Sequence, residues 1–147
     1  MQTATGFLIP LTAQPTSCTT ISIVWCRWLC VSSAKKLPET IIGVGTAKRE
    51  LAEENFARFL KVYENSQDIR RLGSAALELA YTACGRQGGY FEVYLNPWDY
   101  AAGMLLVQEA GGNVSDWNGK NLAPTQGNQI AGTNGQVHEE LLNLIRH

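Results

Sequence analysis

The chain has 147 residues, enough for one globular domain with a sizeable core and too few for two comfortable ones. Apolar residues make up 45% and charged ones 17%, the balance of a folded soluble protein. Twelve basic against thirteen acidic side chains leave a net charge of −1, which argues against a nucleic-acid binder held by phosphate neutralisation and against a basic membrane-surface protein.

Residues 1–30 come first and differ in composition from the rest. They hold a single charged side chain, Arg27, beside eight Ser/Thr residues and three of the four cysteines, Cys18, Cys26 and Cys30. The start, Met1-Gln2-Thr3-Ala4-Thr5, lacks the basic region of a secretory signal. The apolar run Ile21 to Val31 is about half as long as a bilayer span and is interrupted by Arg27. Ile21–Trp25 suits a buried strand. The cysteines, Cys84 included, show no CxxC spacing and are too sparse for a disulfide scaffold, so a reducing cytoplasm is expected.

From Val31 onward the pattern is regular. Ser32 to Lys36 is a polar connector, and Glu39 to Gly45 reads as a short buried strand running into a glycine turn. Leu51, Ala52, Phe56, Phe59, Leu60 and Tyr63 recur at helical spacing and predict an amphipathic helix near Lys48 to Tyr63. Asp68 to Leu72 reads as a strand. Gly73-Ser74 opens a helix over Ala75 to Cys84, closed by Gly85 and expected to be deeply buried because Glu78 is its only charge. Tyr90 to Leu95 is an aromatic and branched strand around Glu92. Asn96 at N-cap and Pro97 at N1 start a helix that stops at Gly111-Gly112. Val114 to Trp117 and Gln129 to Thr133 read as strands and Val137 to Ile145 as a closing helix. Strands alternating with helices give an α/β or α+β layered domain.

Three places can carry chemistry. Asp99 falls in the first turn of its helix, where unpaired amides and the positive dipole end favour a carboxylate. That position can serve the helix alone. Ala101, Ala102 and Gly103, however, leave one side nearly without bulk, as a closely approaching ligand needs. Gly73-Ser74-Ala75-Ala76 is a helix N-terminus of small residues. Its amides can seat an anion or sugar hydroxyls, and the same residues suit tight helix packing. Glu92, a lone charge in an aromatic strand, must be solvated or paired. It either points to the wet face or accepts hydrogen bonds from substrate hydroxyls.

Other motifs carry less. Gly43-Val44-Gly45 lacks a third glycine and a suitably placed acid for dinucleotide binding, and reads as a turn. Cys26 and Cys30 have no histidine nearby for zinc. Ser32 or Ser33 with the distant His138 or His147 makes no triad. Arg70-Arg71 reads as one outward charge and one inward structural one.

Arg70-Arg71-Leu72-Gly73-Ser74-Ala75-Ala76, Gly89-Tyr90-Phe91-Glu92, Pro97-Trp98-Asp99-Tyr100-Ala101-Ala102-Gly103, Glu109-Ala110-Gly111-Gly112 and Gly132-Thr133-Asn134-Gly135 together resemble the C-terminal half of the inositol monophosphatase family. The W-D-x-A-A-G segment followed by E-A-G-G is its most specific part. The resemblance covers residues 31–147 and leaves residues 1–30 unassigned. It implies half of a layered αβαβα sandwich, a homodimer, and a cytoplasmic Mg²⁺-dependent phosphomonoesterase for inositol monophosphate or a related sugar phosphate. By the same resemblance Asp99 is a Mg²⁺ ligand, Glu92 accepts hydrogen bonds from ring hydroxyls, and Gly73, Ser74 and Ala75 line the sugar-binding edge.

The chain departs from the family where the remaining metal carboxylates should be. It has three aspartates, Asp68, Asp99 and Asp116, and no D-P-x-D-G-T type segment. One aspartate leaves water to supply nearly all of about six oxygen ligands. The expectation is a fragment or truncated gene product, with residues 1–30 read from a shifted frame. The contrasting reading is an inactive remnant that dimerises or binds a relative.

Overall fold

The structure, a computed structural model, describes residues 30–46 and 49–146. The strand expected at Ile21–Trp25 lies outside the described residues. A 3-10 turn at Leu37–Glu39 leads into β1, Ile41–Val44. A second, Arg49–Leu51, leads into α1, Ala52–Asn65, whose Glu53 and Glu54 sit at the positive dipole end. Then come β2 (Asp68–Arg70), α2 (Ala75–Ala83), β3 (Gly89–Leu95), α3 (Pro97–Glu109), β4 (Asn113–Ser115), β5 (Asn128–Thr133) and α4 (His138–Ile145). Each element expected from Glu39 onward is present. The largest displacement is the start of α1, expected at Lys48 and found at Ala52.

The strands form one mixed sheet in the order β2-β1-β3-β5-β4. β1 runs parallel to both β2 and β3, as crossovers through α1 and α2 require, while β5 is antiparallel to β3 and β4. Helices cover both faces, giving an α/β fold of three layers. On one face Phe59 of α1 and Leu141, Leu142 and Ile145 of α4 pack over Ile42, Val44 and Phe91. The rings of Phe59, Phe91 and Trp117 meet edge to face there, with centroids 5.7 and 6.1 Å apart. On the other face Leu79, Ala83, Tyr100 and Val107 of α2 and α3 pack over Tyr90, Leu95, Val114 and Ile130.

A bulge in β3 decides which side chains reach that second face. Glu92 pairs with Ile130 but Leu95 with Asn128, so β3 carries one extra residue between them. Phe91, Val93 and Tyr94 therefore all join the first core, and Leu95 returns to the side of Tyr90.

Three expectations are corrected. The inward line of α1 is Asn55, Phe59 and Val62, whereas Phe56, Leu60 and Tyr63 are 64%, 58% and 54% exposed. The two lines lie roughly 100° apart on the helix, and the sheet can take only one. Helix α2 is not enclosed on nearly every side, since Ala76 and Leu77 face outward. Gly103 is not left small for a ligand. A Cβ there would lie 2.6 Å from Leu79 Cβ, so its smallness lets α3 close on α2.

Candidate functional site

The N-termini of α2 and α3 open onto the same cleft, with the bulged end of β3 between them. Gly73 turns the chain out of β2 at φ +81°, a backbone setting that glycine takes without strain. Ser74 then caps α2, its Oγ accepting from the Leu77 amide at 3.4 Å. At α3 the Asp99 amide donates to the Asn96 carbonyl at 3.0 Å, and Asp99 Oδ2 accepts from the Asn96 amide at 3.1 Å. The first-turn role expected of Asp99 is therefore met with one carboxylate oxygen.

Gly73, Ser74, Ala75, Glu92 and Asp99 all line one cleft of about 380 Å³, with Leu95 and Trp98 as its apolar wall. All five residues expected to form the site are thus brought together. Glu92 is buried, not turned to an open wet face, and it accepts a hydrogen bond from the Tyr90 hydroxyl. Burial, reinforced by the Glu92 charge, pushes the Tyr90 hydroxyl far above its ordinary range, so it remains a donor. Gly45 is more than a turn residue: a Cβ there would collide with the Glu92 carboxyl group.

A smaller pocket of about 160 Å³ adjoins the cleft. It shares Gly73, Ser74 and Glu92 and adds Thr46, Arg71, Glu78 and Tyr90. Glu78 is fully buried, accepting from the Leu72 amide at 2.7 Å and from Gln87 Nε2 at 3.1 Å. Burial raises its pKa above the ordinary value, against the pull of those two bonds and of Arg71. Gly43 leaves room for this carboxylate as Gly45 does for Glu92. Neither arginine of the Arg70-Arg71 pair is buried as a structural charge: Arg70 pairs with Asp68, and Arg71, at the pocket's rim, donates from Nε to Thr46 Oγ1 at 3.2 Å.

Sequence reasoning missed Arg71 and Tyr90 and noted Glu78 only as a buried charge. Two glycines two residues apart, Gly43 on β1 and Gly45 just past its end, facing lone acids on α2 and β3, are the one signal that could have found the second pocket. It also missed a buried chain at His138, which bridges Ser115 Oγ at 2.8 Å and Thr133 Oγ1 at 2.9 Å and lies in neither pocket.

Among the described residues no group of three or more His, Cys, Asp or Glu side chains is placed to hold a metal ion. Asp99, with Glu92 in the same cleft, can provide part of a Mg²⁺ coordination sphere and not a whole one. No helix among the described residues is long and apolar enough to cross a membrane.

Comparison with known proteins places this geometry. The chain is 44% identical over 115 residues to the Nus factor SuhB of Escherichia coli, covering 77% of this chain and 43% of that protein. It is 40% identical over 113 residues to an inositol-1-monophosphatase of Synechocystis, covering 76% of this chain and 39% of that one. Among solved structures, the inositol monophosphatase of Anabaena (Nostoc) superimposes with a TM-score of 0.73 at 35% identity, over 80% of this chain and 47% of that one. Native SuhB of Bartonella henselae gives 0.74 at 34% identity, over 80% and 46%. The chain thus spans less than half the length of these relatives. The inositol monophosphatase family profile matches residues 14–147, beginning ahead of Val31. The chain belongs to the inositol monophosphatase family.

Proposed function

We propose that this chain forms one wall of a Mg²⁺-dependent phosphomonoesterase site acting on inositol monophosphate or a related sugar phosphate. The observation that carries the reading is the meeting of Asp99, Glu92 and the Gly73-Ser74-Ala75 turn in one cleft at two helix N-termini. Those N-termini favour an anion, so the phosphate sits near Asp99 and the amides, where Asp99 serves as a metal ligand. A bound Mg²⁺ neutralises phosphate charge and lowers the pKa of its water. Glu92 accepts hydrogen bonds from ring hydroxyls, and Gly73, Ser74 and Ala75 let the ring approach the backbone. The same reading makes the protein a cytoplasmic homodimer. The name Nus factor belongs to the SuhB relatives, and the net charge of −1 here gives no support for phosphate-backbone binding.

The second reading, an inactive truncated remnant that only dimerises or binds a relative, is favoured by a specific observation. Asp99 is the one aspartate among the residues that line the cleft. Phosphate release from inositol 1-phosphate separates the two, measured with the intact chain alone and with the missing half of a relative added as a second polypeptide. The enzyme reading expects Mg²⁺-dependent release in at least one setting, lowered about a hundredfold or more in Asp99→Asn. No release in either setting leaves the second reading standing.

A further inference from the structure

We infer that Glu78 is a positioning residue: its buried carboxylate holds the Arg71-Leu72-Gly73 turn against α2 and so fixes the rim from which Gly73 and Ser74 face the cleft. The consequence for the cleft rests on the phosphatase reading, and the hold itself does not. Gly73 and Ser74 line both cavities, yet the turn that delivers them lies outside strand and helix and is exposed along its length. Such a segment is set by what its backbone groups reach. The Leu72 amide reaches Glu78 Oε1 at 2.7 Å, so a residue 46% exposed is tied by its backbone to a carboxylate 1% exposed.

Hydrogen-bond polarity explains why this position carries an acid. Gln87 Nε2 donates to Glu78 Oε2 at 3.1 Å and to the Glu78 carbonyl at 2.9 Å, so both carboxylate oxygens receive donors. An ionised carboxylate accepts with both oxygens, whereas an amide would turn its N–H₂ toward the Leu72 amide or toward Gln87. Loss of hydration at so buried a charge is offset by charge-assisted bonds of this kind. Strand β1 leaves the space: a Cβ on Gly43 would collide with Oε2 and lie 2.7 Å from Gln87 Nε2. The charged and titratable groups around Glu78 are Arg71 on the turn and Tyr90 and Glu92 on β3. Tyr90 gives its hydroxyl to Glu92 and not to Glu78.

The experiment is amide hydrogen exchange of the intact chain, read residue by residue by NMR over a range of pH and expressed as protection factors. Glu78→Gln removes the charge, and Gly43→Ala displaces the carboxylate with its charge intact. Thermal melting checks their folding, and calorimetric titration with inorganic phosphate and Mg²⁺ follows on the same samples. In the parent the Leu72 amide is expected to be better protected than those of Arg71 and Gly73, and increasingly so as pH rises above 4.5, because burial raises the pKa of Glu78. Glu78→Gln loses about tenfold of that protection, the scale of one hydrogen bond to a charged group, together with its pH dependence. Gly43→Ala loses protection as well, and both variants bind phosphate severalfold more weakly. A parent Leu72 amide that exchanges as fast as its neighbours, or protection unchanged in a folded Glu78→Gln, overturns the hold. Should Glu78→Gln not fold, Gly43→Ala and the pH dependence of the parent decide in its place. Variants that lose protection at Leu72 yet bind phosphate as the parent does overturn the positioning role. A parent that binds no phosphate defeats the phosphatase reading, while exchange at Leu72 still decides the hold.

Discussion

His138 and Glu78 are buried titratable side chains with opposite consequences for stability. Burial lowers the pKa of His138, held neutral between Ser115 and Thr133. Its contribution is present above the ordinary value of 6.5 and is lost as pH falls from there through the lowered folded value. Glu78 is the reverse: its folded pKa is raised, so its contribution is full below 4.5 and is lost as pH rises through the folded value. Urea midpoints measured from pH 4 to pH 8 are expected to show both slopes, with His138→Gln flattening the acid-side loss and Glu78→Gln the opposing one. An unchanged profile in His138→Gln contradicts a neutral buried imidazole. At the cleft, Gly45→Ala drives a methyl group into the Glu92 carboxyl, costing about 1–3 kcal/mol of stability and weakening inositol 1-phosphate binding, both readable by titration and urea melts. Asp99 and Glu92 could be read from sequence because each is a lone acid in an apolar setting. Arg71 and Tyr90 could not, because which way they face depends on how β1 lies beside β3 and on the loop after β2, and neither is a local pattern.

Periodicity located the helices and misjudged the faces of α1 and α2. In α3 the buried residues Tyr100, Gly103 and Val107 lie opposite Trp98, Ala102 and Leu105, so apolar residues ring the helix and no stripe marks an inward side. What fixes the face is contact with α2 at Gly103. Gly103→Ala is expected to cost about 1–3 kcal/mol by urea unfolding, although alanine is the better helix former, because Leu79 Cβ stands 2.6 Å from the added carbon. A stabilised variant would mean that α2 and α3 can separate freely. Asp99→Asn acts differently on the same helix. It keeps an oxygen for the Asn96 amide and loses only the charge at the dipole end, about 0.3–1 kcal/mol. Its melting temperature should barely move, so a large loss of Mg²⁺-dependent phosphate release in this variant reports on the site and not on folding.

The three-layer plan follows from the alternation of strands and helices, but which outer faces stay uncovered does not, because the same residue types fill cores and interfaces. Among the described residues two apolar lines remain open: Phe56, Leu60 and Tyr63 on α1, and Leu77, Trp98 and Leu105 on α2 and α3. Apolar patches of this kind mark interaction surfaces more often than errors of folding. Helix α1 offers an internal comparison, since Phe56 and Phe59 are neighbours in one amphipathic run and their rings touch at 5.5 Å. Phe59 is 5% exposed and meets Phe91 edge to face, so Phe59→Ala should cost about 3–5 kcal/mol. Leu60→Glu, at a position 58% exposed, should move stability by no more than about 0.5 kcal/mol while lowering self-association. Urea unfolding and sedimentation velocity on the same samples measure both quantities. If Leu60→Glu unfolds the chain as Phe59→Ala does, the outer line of α1 belongs to the fold's own core. If it leaves both stability and association unchanged, that face has no role in pairing.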